Sequence, residues 1–295
     1  LSEVSNEKLY ETFNSIGLEV DSINQIEIAE KVVVGKILSC EKHPDADKLN
    51  VCQIDVGSGT RQIVCGAANV VDAEYVAVAT IGAVLPGNFE IKHAKLRGVE
   101  SEGMVCASSE LGLPDTGKGI MILDESIGEL GIGRELGSYK RVADTIIELE
   151  LTANRGDCLS VYGVARDLSA ALELGMKPFE YKQAEKMKLG IAREAEIHTE
   201  GEMDADLSYK LATLENIEDN FLLQLRLAMV SVEAEGNLAK ILAYATHTTG
   251  VILRAYMSST FVNGEDKVVV RLRAKEKGLM EILGNDNVVS IAGVY

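Results

Sequence analysis

Three stretches decide how this chain is read: HPDADKLNVCQIDVG at His43–Gly57, IVCGAANV at Ile63–Val70 and IKHAKLRGVESEGMVCASSELGL at Ile91–Leu113. They lie in a region of short β-rich runs: Val32–Leu38, Asn50–Val56, Gln62–Cys65 and Tyr75–Ile81. The turn sequences HPDAD, GSG and GAAN punctuate these runs. A period of two puts Cys52, Ile54 and Val56 on one face, and Gln53 and Asp55 on the other. Ile120–Leu123 reads as a closing strand. Short strands with Gly-rich turns predict a small barrel or sandwich.

Working outward, Ser5 caps a helix whose Leu9, Phe13 and Ile16 share a face and which stops at Gly17. Leu18, Val20 and Ile23 then alternate like a half-buried strand. This piece is too short to fold alone. Beyond the β-rich region, Thr145–Leu151 reads as a strand. Asn154–Gly175 (NRGDCLSVYGVARDLSAALELG) reads as a turn and a helix, capped by Asp157 or Ser160 and ended by Gly175 and Pro178. Val161, Val164, Leu168, Ala171 and Leu172 form its apolar stripe. Pairing this helix with the first makes the β-rich body an insertion between two halves of one domain. Tyr181–Met203 reads as a polar linker or edge segment. Helical periodicity over Ile217–Val230 and Asn237–Thr246, with strands at Lys267–Arg273 and from Val288, predicts a third, α+β domain.

The length of 295 residues implies two to three domains, and the net charge of −17 argues against a protein coated in nucleic acid. Any RNA contact must be local. Cys40, Cys52, Cys65, Cys106 and Cys158 form no CxxC pair, which predicts reduced thiols, a reducing cytosol and no structural zinc. Without a long apolar run or a signal pattern, a soluble cytoplasmic protein with no membrane partner is expected. A start at Leu1 and an end inside the apolar IAGVY run read as a chain cut at both ends.

Gly112–Gly119 (GLPDTGKG) nearly spells a phosphate-binding loop, but Gly119 stands where a hydroxyl is needed and a strand follows, so it reads as a surface turn. In an extended Ile91–Arg97, His93, Lys95 and Arg97 share one face, a compact basic stripe able to meet RNA phosphates. Its other reading is a solvated strand face. With only Tyr75, Phe89 and Tyr139 nearby and no Trp, base stacking cannot dominate affinity. His247, in ATHTTG, lacks a catalytic partner in the sequence and reads as a packed histidine. Asp45 and Asp47 read as a turn held by Asp side chains.

In this order and spacing the three stretches resemble the tRNA-binding OB module of the phenylalanyl-tRNA synthetase β-subunit, a module also found in free-standing tRNA-binding proteins. SIGLEVDSI (Ser15–Ile23) and LTANRGDCLSVYGVARDLSAAL (Leu151–Leu172) are similar to the synthetase's flanks, which the free-standing proteins lack. The resemblance implies a five-stranded OB-fold barrel over 36–142, inserted into an α+β domain of 1–35 and 143–180, with a divergent editing-type α+β domain over 181–295. Within that last domain, Thr246 matches a pocket Thr, His247 replaces an Asn, and Ser258 stands where a His is expected. Editing of tyrosyl-tRNA is therefore doubtful. The family joins phenylalanine to tRNA(Phe) with ATP and magnesium as an (αβ)2 assembly whose activation site is in the α-subunit. This chain is then expected to be a non-catalytic part of that ligase, with no catalytic residue, metal or cofactor of its own. The alternative is a stand-alone tRNA-binding or chaperone-like OB protein.

Overall fold

The computed structural model describes residues 4–117, 119–177, 195–201, 212–218, 220–262, 268–275, 279–284 and 288–293. The fold is mixed α+β with several antiparallel sheets. By contact, it divides into one unit of 1–176 with 218–253 and another of 177–217 with 254–295.

In the first unit, α1 (Asn6–Ser15) starts where Ser5 Oγ accepts the Lys8 N–H at 3.2 Å, and Gly17 follows it at φ +77°. Next come β1 (Glu19–Gln25), β2 (Val32–His43), β3 (Ala46–Asp55), β4 (Thr60–Cys65) and β5 (Tyr75–Ala79). Two small hairpins follow, β6 (Val84–Leu85) with β7 (Phe89–Glu90) and β8 (Ala94–Leu96) with β9 (Val99–Ser101). After them lie β10 (Met104–Val105), β11 (Ile122–Leu123) and β12 (Thr145–Glu150). The helices α2 (Val161–Ala171), α3 (Phe221–Met229) and α4 (Asn237–Thr249) complete the unit.

β1 pairs antiparallel with β12, from Glu19–Glu150 to Gln25–Thr145. Phe13, Leu18, Cys158 and Leu168 form one core between these strands and α1 and α2, so segments far apart in sequence share it. Ser160 caps α2, its Oγ accepting the Gly163 N–H at 3.1 Å. The helix ends at Ala171, before the expected Gly175, and Glu173 takes the left-handed backbone at φ +53°.

Residues between β1 and β12 build a sheet ordered β10–β5–β2–β3–β4, with β11 also paired to β5. A closed five-stranded barrel was expected. Instead the sheet has six strands, and no ladder joins β10 to β4 among the described residues. The Glu102 N–H bond to Gln62 O, 2.8 Å, comes nearest to closing it. Ile122–Leu123 does not close the sheet either: it continues the β5 edge begun by β10, at Ile122–Val76 and Leu123–Tyr75.

On β3 the alternation holds, with Cys52 and Ile54 buried along with Val56 just beyond the strand. On β2 it fails, because Val32, Val33 and Val34 are all buried. Val33, Val76 and Val78 face one core with Cys52, Ile54 and Ile63, while Val32, Val34, Ala77 and Ala79 face another. Strands covered on both faces read as continuous apolar runs.

The second core is completed by Leu111, Leu113, Met121, Leu136, Tyr139 and α3. Phe221, Leu225 and Met229 of α3 are buried there, each worth about 1.5–3 kcal/mol. Asp124 Oδ2 accepts the Phe221 N–H at 2.7 Å and Ser126 Oγ the Leu222 N–H at 3.0 Å, so this helix start is capped by a distant loop. Arg226 pairs with Asp144 at 2.7 Å. Residues 218–253, expected within a domain of 181–295, therefore group with the first unit.

The second unit is a sheet of β13 (Ala195–Glu200), β14 (Val268–Ala274), β15 (Leu279–Leu283) and β16 (Val288–Gly293), in that order, with β13 and β14 parallel. Its core gathers Phe261, Val268, Val270, Leu272, Met280 and Ile282. β13 falls in the stretch read as a polar linker or edge segment and stands at the edge of this sheet; residues 181–194, 202 and 203 lie outside the described residues. Among the described residues no helix is long and apolar enough to cross a membrane.

Candidate nucleic-acid interface

His93, Lys95 and Arg97 are all exposed. They do not form the single extended stripe expected. β8 covers only Ala94–Leu96, and Arg97 (φ +48°) and Gly98 (φ +91°) are the two central residues of the turn into β9. Positive φ at both positions defines a type I′ turn, the twist that suits a two-residue hairpin. Arg97 thus sits at the tip, and Lys95 lies opposite Glu100 in the ladder. His93 precedes the strand and lines a cleft of about 610 Å³ with Lys31, Arg61, Glu102 and Glu135. Arg61 approaches Glu102 at 3.9 Å, so part of the cleft's charge is already neutralised.

The hairpin is tied down at its base. His43, only 4% exposed, accepts the Asp45 N–H at Nδ1 (3.0 Å). Its Nε2 therefore carries the proton and donates to Leu96 O at 3.0 Å. The HPDAD turn is held by this ring rather than by aspartate side chains, which corrects the sequence reading. On the other strand, Gln62 Nε2 donates to Glu100 O at 2.9 Å, and the buried Ser101 Oγ accepts the Val64 N–H at 3.1 Å. Sequence reasoning missed His43, Gln62 and Ser101. The only signal was a histidine beside a proline at a turn, and its partner lies 53 residues away.

Of the three aromatic residues, Tyr139 is buried, its hydroxyl accepting the Gly131 N–H at 3.0 Å and Arg134 lying 4.3 Å from its ring centre. Lys36 lies 5.2 Å from the Tyr75 ring centre. Phe89 alone of the three is widely exposed, at 57%.

The Gly112–Gly119 loop does not fit a nucleotide phosphate. Gly112 (φ +75°) ends a helical turn, Asp115 Oδ1 accepts the Gly117 N–H at 2.9 Å, and a strand follows at Ile122. Asn69 takes the Ile120 N–H at 3.1 Å and donates to Ile120 O at 2.9 Å, fixing the loop from the side. Lys118 lies outside the described residues.

Ligand atoms of Asp157, Cys158 and Asp167 lie within 4.8 Å of one another. The positive charges there are two guanidinium groups: Arg155 bonds Asp167 and Asp157 and reaches Cys158 Sγ at 2.7 Å, and Arg166 reaches Asp157 at 2.8 Å. The third Arg155 nitrogen, Nη1, reaches Ile16 O at 3.3 Å, linking the end of α1 to this turn. Arg155 holds the Asp157 carboxyl below the usual aspartate range. The arrangement is a structural clasp.

Thr246 and His247 lie on α4 in the first unit, where Thr246 Oγ1 accepts the Leu253 N–H at 3.1 Å. Ser258 is exposed and belongs to the second unit. His247 is half-buried.

Residues 32–130 match a protein-family model described as "Putative tRNA binding domain". The six-stranded sheet and the β8–β9 hairpin thus fall in a tRNA-binding class of domain. The chain is 46% identical, over all its 295 residues, to the phenylalanine–tRNA ligase beta subunit of Sulfurimonas denitrificans, and covers 38% of it. The beta subunit of Campylobacter jejuni is likewise 46% identical, over 100% of this chain and 38% of its own length. The chain belongs to the phenylalanine–tRNA ligase beta-subunit family and spans well under half the length of these relatives. Among solved structures, a MetRS-related protein from Pyrococcus horikoshii matches 36% of the chain and 86% of its own, at 23% identity and a TM-score of 0.26.

Proposed function

We propose that this chain is a non-catalytic, tRNA-binding part of a cytoplasmic phenylalanine–tRNA ligase. In this reading an α-subunit carries amino-acid activation with ATP and magnesium, the two subunits form an (αβ)2 assembly, and tRNA(Phe) is the RNA bound. The six-stranded sheet is an OB-type module in open form, set between halves of an N-terminal α+β domain, and the later sheet belongs to an editing-type domain. The observation that carries the reading is the exposed Lys95–Arg97 hairpin, braced at its base, within the segment that matches a tRNA-binding model. Cations concentrated on one projection suit phosphate contact on an otherwise acidic protein. The shared β1–β12 host domain favours the synthetase subunit over a stand-alone module, since it is built from both flanks.

The test is titration of labelled tRNA(Phe) with the full chain at several salt concentrations, alongside phenylalanine-dependent ATP–pyrophosphate exchange. Salt-sensitive tRNA binding without exchange is the expected outcome. Exchange by the chain alone would overturn the division of labour, and absence of tRNA binding at low salt would overturn the interface.

A further inference from the structure

The function proposed above leaves unused a pair of thiols on the sheet beside the braced turn. Cys40 on β2 and Cys52 on β3 are direct ladder partners, and their sulfurs lie 2.9 Å apart. Cys40 is half-buried, whereas Cys52 is fully buried in the core with Ile54 and Ile63. We propose that Cys40 and Cys52 form a reversible disulfide modification site, oxidised by a peroxide of the hydrogen peroxide class and reset by a dithiol.

The geometry assigns the two sulfurs different roles. Burial, together with the Cys40 contact, pushes the Cys52 thiol well up, so Cys52 stays protonated and shielded. The first oxidation falls on Cys40, which solvent can reach and whose thiolate is the reactive form. Its sulfur attacks one peroxide oxygen, the O–O bond breaks, and a sulfenic acid and hydroxide result. The Cys52 sulfur then displaces the sulfenic oxygen, and its thiol proton leaves with that oxygen as water. The hydroxide takes up the proton that the Cys40 thiol shed on ionising, so two sulfurs have given up two electrons and one peroxide has become two waters. A dithiol returns both electrons by thiol–disulfide exchange at the accessible Cys40 sulfur.

Sheet geometry makes such a bond easy to break. Opposite Cβ atoms in a ladder lie about 4.5–5.5 Å apart. A relaxed disulfide prefers about 3.5–4.5 Å. A bridge between ladder partners is therefore strained, and strained disulfides are the labile ones. Cys65 and Cys106 share the sheet region, yet neither is a ladder partner of another cysteine. Burial raises both thiols, Cys106 to about 12, which leaves them poor competitors.

The test treats the full chain, natively folded, with hydrogen peroxide. The reaction is quenched into denaturant with an alkylating agent, and the peptides are mapped by mass spectrometry with and without dithiothreitol. Two of the five thiols should be lost, in one peptide pair linking Cys40 to Cys52, and dithiothreitol should restore both. In Cys52→Ser, Cys40 should run on to sulfinic acid, which dithiothreitol does not reverse. Three outcomes overturn the proposal: all five thiols surviving, Cys40 over-oxidised in the wild type without a linked peptide, or a bridge between Cys40 and Cys65. The wild-type map decides between them even if the serine variant does not fold.

Discussion

The imidazole of His43 donates to the backbone carbonyl of Leu96 across 3.0 Å, tying the β2–β3 turn to the hairpin that carries Lys95 and Arg97. Because Nδ1 of the same ring accepts the Asp45 N–H, one neutral tautomer satisfies both contacts. His43→Ala removes both and leaves a buried N–H and carbonyl to find water. The expected cost is about 1–3 kcal/mol in denaturant unfolding. Amide exchange of Leu96 through Ser101 should accelerate more than that of β5, since the two core faces are untouched. Equal acceleration across both would show that His43 supports the whole sheet rather than the hairpin.

Arg97 offers a way to separate charge from fold. At the first central position of a type I′ turn, asparagine is preferred over arginine, so Arg97→Asn should keep or improve hairpin stability while removing the cation. The tRNA affinity of this variant should fall, and its log–log salt slope should lose about 0.7–0.9 in magnitude. Lys95→Glu should do the same and add repulsion against Glu100 across the ladder. An unchanged salt slope in both variants would mark the hairpin as a solvated face.

Asp157 gives a pH signature. Its carboxyl is held below the ordinary value of 3.8, chiefly by the Arg155 hydrogen bond, so the folded state favours the ionised form. Stability from this group is complete above the unfolded value and is lost as pH falls through the folded one. Asp157→Asn should therefore destabilise the α1–α2 core at pH 7, and the difference should fade as pH falls through the folded value. Thermal unfolding of both proteins across that range is the measurement. A deficit that persists undiminished in acid would mean that packing, not charge, holds the clasp.

The candidates Thr246, His247 and Ser258 are divided between α4 and the separate second unit, and Thr246 already accepts a backbone N–H. A pocket that discharges tyrosyl-tRNA must pair the tyrosine hydroxyl and position a water at the ester. Deacylation of tyrosyl-tRNA by the full-length ligase of this lineage is expected to be near background, and His247→Ala should not change it. Rapid wild-type hydrolysis that disappears in the variant would give His247 a role at the ester after all.

Local chemistry was legible in the sequence, and long-range placement was not. Ser5 announced one helix start, Asp157 or Ser160 a second that Ser160 takes, and Cys52–Ile54–Val56 a strand face, because caps and period-two burial depend on near neighbours. The spacing of Phe221, Leu225 and Ala228 gives an apolar helix face but neither Met229 nor the partner, which is the sheet face of Val32, Val34, Ala77 and Ala79. Val32–Val34 defied alternation because both sides of β2 are covered. The basic hairpin was misread as one straight strand because Arg97-Gly98 lacks the asparagine that usually flags a type I′ turn. The polar segment holding β13 reads equally as a linker or an edge, because among the described residues this strand pairs on one side alone, with β14.

The adjacency of β1 and β12 bears on the order in which the chain folds. Gln25 pairs with Thr145, and the Ile26 N–H bonds Asp144 O at 2.9 Å, so the chain leaves and returns through a single narrow neck. Closing so long an excursion costs entropy that grows only as the logarithm of its length, and a folded insert brings the two ends together in advance. The inserted body should therefore form early and hold the two strands in register while the helices dock. A lesion deep in the sheet would then delay the clasp around Arg155, although no atom is shared between them.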